Sequence, residues 1–380
     1  MNDVTGYSLS RRSLLQGGAA LGLGAGFAAI LAACGSDSPS AATTAATTAG
    51  TDAPVATDAA GTVAPAATEG AAALTPVAIQ LCYLKNVQFA GSFFATTKGY
   101  YTDEGLDVTI LAGGPSLAPE PIVVSGQALV GITHTAEAVA AINNGADLKI
   151  IGAGFQKNPT CFASLAANPI KSPTDLYGKK VGISDSNAPI WDSFAKANTL
   201  DVSKVTVVKV GFDATSLASG EIDALMAFAP NEPSILKTQG VDTYVMLLSD
   251  FNYPLMEDLY IANAADIADP AKMKLLVAMM AGESKGWADV VADPTAAADL
   301  AVDNFGKDLN LDRDQQRFDA AAQNDFVADA DTKAHGLFWM TDEKIAGTIA
   351  SLALGGVTAT ADMFTTAVLA EVYQGGSVPA

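Results

Sequence analysis

Residues 106–154 read LDVTILAGGPSLAPEPIVVSGQALVGITHTAEAVAAINNGADLKIIGAG, with three short apolar runs separated by helical segments. The runs Leu106–Leu111, Ala128–Thr133 and Leu148–Gly154 predict strands, because each is short, apolar and bounded by turn residues. Strands that alternate with helices need crossover connections. The stretch therefore predicts an α/β protein with mainly parallel sheets and flanking helices.

The alternation continues on both sides of this stretch. Residues 77–83 predict a preceding strand, a second alternating series follows a proline-rich stretch and runs to about residue 248, and the chain is predicted to be helical from about Pro270. This order predicts two lobes, with the chain leaving the first near Lys171 and returning near Pro254. We expect lobe one to comprise residues 76–170 and 255–380, including C-terminal helices, and lobe two residues 171–254.

The N-terminal segment has the features of an export signal. Ser10-Arg11-Arg12-Ser13-Leu14-Leu15 precedes an uncharged apolar run and resembles a twin-arginine signal. The run ends in Leu31-Ala32-Ala33-Cys34-Gly35, which looks like a bacterial lipobox. We expect residues 1–33 to be a cleaved signal peptide and the acylated Cys34 to anchor the protein to the lipid bilayer at the outer face of the cell membrane. The alternative is an uncleaved transmembrane helix.

The next segment has a composition that cannot form a core. Residues 35–75 consist almost entirely of Ala, Thr, Gly, Pro, Ser and Asp, without an aromatic or basic residue. We therefore expect residues 34–75 to be the lipidated cysteine and a disordered tether.

The composition of the whole chain excludes several classes of protein. Its 380 residues favour two lobes, and 21 basic against 41 acidic residues give a net charge of −20, which opposes nucleic-acid binding. With 2 histidines and 3 cysteines, neither a disulfide scaffold nor a metal site is expected. No cofactor is expected either. Cys82 and Cys161 either form a disulfide or are buried thiols.

Short motifs in a fixed order resemble a known superfamily. Residues 86–91 (NVQFAG) and 98–108 (KGYYTDEGLDV) are similar to the opening of solute-binding proteins related to thiamine-pyrimidine synthase, a superfamily that also contains nitrate-, sulfonate- and riboflavin-binding receptors. The similarity continues, in chain order, through Gly113-Gly114-Pro115, Ser125-Gly126, 155–159 (FQKNP), 175–182 (DLYGKKVG), Asn231-Glu232-Pro233 and Gly336-Leu337-Phe338.

The resemblance implies a two-lobed, type II periplasmic binding protein that delivers a small molecule to the permease of an ABC importer. It implies a monomeric receptor and not an enzyme. Two alternatives remain: a thiamine-pyrimidine synthase-like enzyme, or a nitrate- or alkanesulfonate-binding receptor. The fungal synthases carry a C-C-C-F-C motif, whereas no two cysteines are adjacent in this chain. The G-x-S-x-G sequence at 282–286 falls inside a predicted helix, Lys272–Val291, and so does not predict a nucleophile elbow.

In two facing α/β lobes, ligands bind beyond the carboxyl ends of the strands. Aromatic side chains at such positions are candidates to clamp a flat ring, and polar side chains are candidates to bind its edge. The candidate ligand contacts are Tyr83, Asn86, Phe89, Thr133, His134, Gln156, Asn187, Trp191, Asn231, Glu232 and Tyr253.

Three aromatic candidates also have a structural interpretation. Phe89 and Trp191 are also compatible with core packing, and Tyr253 with a hinge. Helix capping or a turn would explain the polar candidates His134, Gln156 and Glu232.

An anion such as nitrate or a sulfonate would need cationic contacts, and Lys85 and Lys157 are the only basic residues at the predicted rim. The aromatic and amide side chains there instead favour a planar, largely neutral heterocycle, such as a thiamine pyrimidine precursor or a riboflavin-like molecule.

Overall fold

A computed structural model describes residues 73–114, 117–211 and 214–374. The predicted signal peptide and Cys34 lie outside these residues, as does nearly all of the predicted tether. The described chain enters its first strand at Thr75, one residue before the predicted start of lobe one.

The first sheet has five strands in the order β2-β1-β3-β10-β4. Strand β1 pairs in parallel with β2 and β3, whereas β10 runs antiparallel to β3 and β4, so four of the five strands share one direction. The strands are β1 (Thr75–Gln80), β2 (Leu106–Leu111), β3 (Val130–Thr133), β4 (Leu148–Phe155) and β10 (Glu257–Asn263).

The second sheet repeats this topology with the order β7-β6-β8-β5-β9. Here β5 is the antiparallel strand and pairs with β8 and β9. The strands are β5 (Thr160–Leu165), β6 (Lys180–Ile183), β7 (Thr206–Lys209), β8 (Ala224–Phe228) and β9 (Thr243–Leu247). The α/β class and the two-sheet arrangement are therefore as predicted.

The boundary between the lobes differs from the predicted one. Residues 160–165 form β5 of the second sheet, so the chain leaves the first sheet between Phe155 and Thr160 and not near Lys171. The sequence interpretation missed β5 because it is an antiparallel strand that directly follows another strand, without a helix between them. The return lies between Leu247 and Glu257, an interval that contains the predicted Pro254. The second antiparallel strand, β10, was also missed.

Helices cover the outside of both sheets. The longest, α9, spans Pro270–Ala292, and the Asp269 carboxylate caps it by accepting hydrogen bonds from the backbone N–H groups of Ala271 and Lys272, at 2.7 and 3.1 Å. The other helices are α1 (Ala90–Thr97), α2 (Tyr100–Asp103), α3 (Pro119–Val124), α4 (Thr135–Asn143), α5 (Ala188–Ala197), α6 (Thr215–Ala218), α7 (Glu232–Thr238), α8 (Ala264–Ala268), α10 (Pro294–Leu300), α11 (Arg313–Val327), α12 (Ala330–His335), α13 (Asp342–Leu354) and α14 (Ala367–Val372).

The G-x-S-x-G sequence lies in α9, as expected, and its glycines allow a close helix crossing. A Cβ atom on Gly286 would lie 2.0 Å from the carbonyl oxygen of Gly91 in α1, and one on Gly282 would lie 2.5 Å from the Tyr101 ring. Ser284 Oγ is 2.7 Å from the Tyr373 hydroxyl. The motif is therefore a packing feature of two helices.

Two C-terminal helices contact the second lobe. From α11, Gln315 Nε2 donates to Asn231 Oδ1 at 3.1 Å, and the Phe318 ring lies 4.4 Å from Lys237 Nζ of α7. Lys196 Nζ of α5 donates to the carbonyl oxygen of Leu354, the last residue of α13, at 3.1 Å. Both helices therefore contact the second lobe in addition to the two chain crossings.

None of the helices in the described ranges combines the length and the apolar character needed to cross a membrane.

Candidate ligand-binding site

The carboxyl edge of the first sheet gathers residues that are far apart in the sequence. Strands β1 and β3 end there, and the antiparallel β10 begins there. Cys82, two residues after β1, and His134, directly after β3, therefore lie near Glu257 and Asp258, the first residues of β10. Both crossings between the lobes leave from this edge.

Glu257 is the centre of a hydrogen-bond network at this edge. Its Oε1 lies 2.9 Å from His134 Nδ1 and accepts from the Thr135 backbone N–H at 3.4 Å, while its Oε2 accepts from Asn158 Nδ2 at 2.7 Å. Asn158 belongs to the first crossing and Glu257 ends the second. One buried carboxylate therefore connects both crossings to His134.

The network holds His134 in its charged form. Burial would lower the pKa of His134, but its hydrogen bond to Glu257 and the nearby negative charges raise that pKa to about 10. Some 45% of the His134 side chain is exposed, whereas Glu257 is buried. This arrangement presents a fixed, cationic donor at the edge where both crossings begin.

Asp258 is buried beside this network. Its Oδ2 accepts from Gln88 Nε2 at 2.8 Å, and its Oδ1 has no hydrogen-bond partner within the described residues. Burial raises the pKa of Asp258 to about 7, against the lowering effect of the His134 charge. The backbone of Asp258 has a φ of 51°, in the left-handed region that few non-glycine residues adopt.

The described cysteines are both free thiols. Cys82 and Cys161 are buried and unpaired, which resolves the alternative left open by the sequence. Burial raises the pKa of each thiol, so both are held in the neutral form.

The candidate residues after β1 divide between surface and core. Tyr83 is 38% exposed, and Asn86 Oδ1 accepts from the Gln88 backbone N–H at 3.1 Å, which caps a short 3₁₀ helix. Phe89 is buried in the core, so of the two aromatic candidates here only Tyr83 offers a ring face to solvent. Phe89 therefore fits the core-packing interpretation and has no exposed face for a ligand.

Two further candidates of the first lobe are held by protein contacts. The buried Thr133 hydroxyl donates to the Glu120 carboxylate. Gln156 Nε2 donates to the Ala153 carbonyl at 2.8 Å, and its Oε1 accepts from Lys344 Nζ at 2.8 Å. Both ends of the Gln156 amide therefore bind the protein, in keeping with its structural interpretation.

The aromatic candidates of the second lobe pack in its core. Trp191 is 5% exposed and contacts Phe162 edge-on at 5.9 Å between ring centroids. Tyr253 packs edge-on against Phe194 at 6.4 Å and is also buried. Trp191 therefore occupies the interior position that the sequence left open, with little surface to offer a ligand.

The polar candidates of the second lobe lie at the start of two helices. Asn187 Nδ2 donates to the Met226 carbonyl at 3.4 Å, and Asn231 Oδ1 accepts from Gln315. The buried Glu232 accepts from the Phe228 backbone N–H at 2.8 Å, and desolvation raises its pKa. Glu232 thus stabilises the β8–α7 turn, a local role of the kind the sequence analysis set beside ligand contact.

A cavity that the sequence analysis did not predict opens beyond the carboxyl ends of β6 and β7. It has a volume of about 700 Å³ and is lined by Ser184, Asp185, Ser186, Lys209, Val210 and Gly211. A second cavity, of about 400 Å³, lies along the start of β1 and the loop before β3. Because ligands in such sheets bind at the carboxyl ends, the first cavity is the better candidate for the second-lobe half of the site.

The fold is that of two-lobed periplasmic binding proteins. The aliphatic sulphonate binding protein SsuA of Escherichia coli superposes with a TM-score of 0.56 at 16% identity, over 74% of this chain and 87% of that one. The periplasmic nitrate-binding protein NrtA of Synechocystis PCC 6803 superposes with a TM-score of 0.50 at 14% identity, over 80% and 90%. At these identities the likeness concerns the fold alone.

The sequence itself assigns the family. The profile of the family described as NMT1/THI5 like matches residues 86–297, so the chain belongs to that family. It is 26% identical over 248 residues to the riboflavin-binding protein RibY of Chloroflexus aurantiacus, covering 62% of this chain and 70% of RibY. It is 27% identical over 235 residues to the formylaminopyrimidine-binding protein of Halalkalibacterium halodurans, covering 60% and 70%. A Schizosaccharomyces pombe 4-amino-5-hydroxymethyl-2-methylpyrimidine phosphate synthase is 28% identical over 133 residues, 34% of this chain and 38% of the synthase.

Proposed function

We propose that this protein is the solute-binding component of an ABC importer and that it captures a small planar heterocycle at the carboxyl edges of its two sheets. The observation that carries the proposal is the pair of relatives, each covered over 70% of its length, whose names specify binding of a flavin and of a pyrimidine. Both ligands contain flat, nitrogen-rich rings. The fold, with two crossings that meet at one polar edge, supports a receptor of this kind.

The exposed groups of the first lobe suit such a ligand. The ring of Tyr83 offers a stacking face, and the charged His134 offers a donor to a ring nitrogen or carbonyl oxygen. The His134 charge is balanced by Glu257, so the pair presents little net charge. The Lys157 ammonium group lies 5.4 Å from the centre of the Phe326 ring, so it already has a partner within the protein. Because the charge of His134 is balanced and Lys157 contacts Phe326, the site favours a neutral heterocycle over nitrate or a sulfonate.

The enzyme alternative has less support. The family includes pyrimidine phosphate synthases, but the chain covers only 38% of the S. pombe enzyme. Its three cysteines, Cys34, Cys82 and Cys161, are well separated in the sequence, so it lacks the cysteine cluster expected of the fungal synthases. We therefore infer that the protein binds its ligand without transforming it.

We also propose an exported, membrane-anchored receptor. The lipobox-like sequence 31–35 and the apolar run before it support cleavage before Cys34 and its lipidation. The partners would be the small molecule, the ABC permease and the lipid bilayer, and the receptor would act as a monomer. Mass spectrometry of the membrane-bound protein should show an acylated chain that begins at Cys34, and an unmodified Cys34 would contradict the anchor.

Ligand identity is tested by mass spectrometry of protein purified from its native host, followed by calorimetry. The calorimetric panel contains riboflavin, a formylaminopyrimidine, nitrate and an alkanesulfonate. We expect one of the two heterocycles to bind and both anions to be inert. Tight binding of nitrate or the sulfonate, with the heterocycles inert, would overturn the proposal.

Two tyrosines make a matched test of the stacking face. Tyr83 and Tyr244 are 38% and 37% exposed, but only Tyr83 lies at the carboxyl edge. Loss of a stacking ring costs about 1–3 kcal/mol, which is roughly 5- to 150-fold in affinity. Tyr83→Ala should weaken heterocycle binding by that factor, while Tyr244→Ala should leave it unchanged. Equal affinities of the two variants would remove Tyr83 from the site.

A further inference from the structure

Cys82, His134 and Asp258 converge at the carboxyl edge of the first sheet. A ring nitrogen of His134, the thiol sulfur of Cys82 and a carboxylate oxygen of Asp258 all lie within 4.8 Å of one another. The three residues come from positions at the ends of β1, β3 and β10, which are neighbours in the sheet. The sequence interpretation expected no metal site because histidine and cysteine are rare, and it could not see that the fold brings one of each together.

Asp258 gives a second, independent indication of a ligand at this place. The residue is buried, and its Oδ1 has no hydrogen-bond partner within the described ranges. A buried carboxylate oxygen without a partner is costly, and it needs a donor or a cation. The left-handed backbone conformation of Asp258 also costs free energy, so the surrounding structure must hold it in place. Gly154 packs directly against this backbone, because a Cβ atom on Gly154 would lie 2.9 Å from the Asp258 carbonyl oxygen.

Other residues fix the orientation of these donors. Glu257 holds His134 through Nδ1, and Gln88 holds Asp258 through Oδ2. In metal sites, a carboxylate commonly orients a ligating histidine in this way, and ligating carboxylates are themselves hydrogen-bonded. The carboxylates of Glu257 and Asp258 also place negative charge beside His134, which favours a bound cation there.

We propose that Cys82, His134 and Asp258 form a binding site for one divalent cation of the zinc class. A sulfur, a nitrogen and an oxygen donor together suit Zn²⁺ and its neighbours, whereas Mg²⁺ and Ca²⁺ take oxygen ligands. Donor atoms around a tetrahedral Zn²⁺ lie roughly 3.3–3.6 Å apart, as follows from its bond lengths. The observed donors lie within 4.8 Å of one another, so they need to approach by up to about 1.5 Å when the ion binds.

Binding would displace two protons to solvent, one from the Cys82 thiol and one from the ligating ring nitrogen of His134, and would leave a thiolate and a neutral imidazole on the metal. Three protein ligands leave a fourth position for water or a solute atom, as in zinc sites that exchange a ligand. Of the three residues, His134 is the one with substantial exposure, so the ion would enter from its side.

The test is a titration of the purified full chain with Co²⁺, which replaces Zn²⁺ and reports a thiolate ligand by a charge-transfer absorption band. We expect the band to saturate at one Co²⁺ per chain and to disappear when excess Zn²⁺ displaces the Co²⁺. Cys82→Ser should abolish the band. Cys161→Ser and Cys34→Ser are the matched controls and should keep it. Absence of a saturable band in the wild-type chain, or a band that survives Cys82→Ser, would overturn the proposal.

Two carboxylate variants keep the test informative if Cys82→Ser fails to fold. Asp258→Asn removes a ligand and should weaken Co²⁺ affinity by more than about 100-fold, whereas Glu257→Gln keeps all three ligands, weakens the hydrogen bond that orients His134, and should lower Co²⁺ affinity by about 10- to 100-fold. Unchanged affinity in Asp258→Asn would also overturn the site. Heterocycle binding in metal-free protein is a separate measurement, so the metal site and the proposed function can fail independently.

Discussion

In the first sheet the antiparallel strand β10 begins with Glu257 and Asp258, whereas in the second sheet β5, at the same place in the strand order, begins with Thr160 and Cys161. The ends of the neighbouring strands differ in polarity in the same way, since the polar His134 follows β3 and the apolar Ala229 follows β8. The two sheets share one topology, so the backbone cannot be the origin of this difference. The fold supplies an equivalent edge twice, and of the two antiparallel strands only the one in the first sheet begins with acidic side chains.

The second lobe uses its aromatic residues for packing. Phe162 contacts both Trp191 and Phe194, at 5.9 and 5.8 Å between centroids, and Phe194 contacts Tyr253. Its ligand contacts would therefore come from the rim of the cavity beyond β6 and β7 and not from these rings. Under the proposed function, the first lobe would supply the charged His134, while the aromatic rings of the second lobe stabilise its core.

The largest expected effect breaks the aromatic core. Trp191→Ala should lower the free energy of unfolding by about 3–5 kcal/mol, because it removes a large buried side chain and leaves a cavity. Trp191→Phe, which retains much of the volume, should lose less. Urea denaturation measures both, and calorimetry at a temperature where the variant is folded should show nearly unchanged ligand affinity. A stable Trp191→Ala protein that no longer binds ligand would instead make Trp191 a wall of the site.

The next effect concerns the polar edge of the first lobe. Glu257→Gln removes the charge that His134, Thr135 and Asn158 share, and hydrogen bonds to a charged group are worth about 1.5–3 kcal/mol. We expect the free energy of unfolding to fall by about that amount and ligand affinity to fall as well. Glu221→Gln, an exposed acid of the second lobe, is the control and should change neither. If both variants unfold at the same urea concentration, the Glu257 network does not join the crossings.

The sequence could predict most of the fold because crossover units leave a strong local pattern. Strands such as Leu106–Leu111 and helices such as Glu232–Thr238 are predicted to within a residue or two. The antiparallel strands β5 and β10 were missed, because each pairs with strands distant in the chain and has no helix on both sides to mark it. Missing β5 also displaced the predicted boundary at Lys171.

The candidate site was harder to predict than the fold. His134 and Tyr83, which the strand-end rule selected, are partly exposed in the structure, whereas Phe89 and Trp191, which the same rule selected, lie in the helices that follow the strands and are buried in the core. Glu257, Asp258 and Asn158 were missed because their importance depends on the two crossings meeting. The one available signal was a pair of adjacent acids, Glu257-Asp258, at the start of an apolar run, LYIA.

The smallest expected effect tests whether buried carboxylates matter outside the polar edge. Asp319 of α11 faces α7 of the second lobe, and like Asp258 it has one buried oxygen, Oδ1, without a hydrogen-bond partner within the described residues. Burial raises the pKa of Asp319 to about 8, with smaller contributions from the nearby acids Glu232 and Asp312. The folded protein therefore keeps a proton that the unfolded chain loses above about pH 4.

A raised pKa in the folded state means that stability is greatest below the unfolded pKa of Asp319 and falls as the pH rises from about 4 to 8. Asp319→Asn cannot ionise, so the loss of unfolding free energy between pH 5 and pH 8 should be smaller in this variant than in the wild type, because in this range only the wild type exchanges the Asp319 proton between the folded and unfolded states. Part of the slope should remain, because desolvation also raises the pKa of Glu232. Asp325→Asn, which alters an exposed acid on the same helix, is the control and should keep the wild-type slope. Urea unfolding at the two pH values measures all three proteins. Parallel slopes in the wild type and Asp319→Asn would mean that Asp319 is already charged in the folded protein, and the contact between α11 and α7 would then have to accommodate that charge as the first sheet accommodates Glu257.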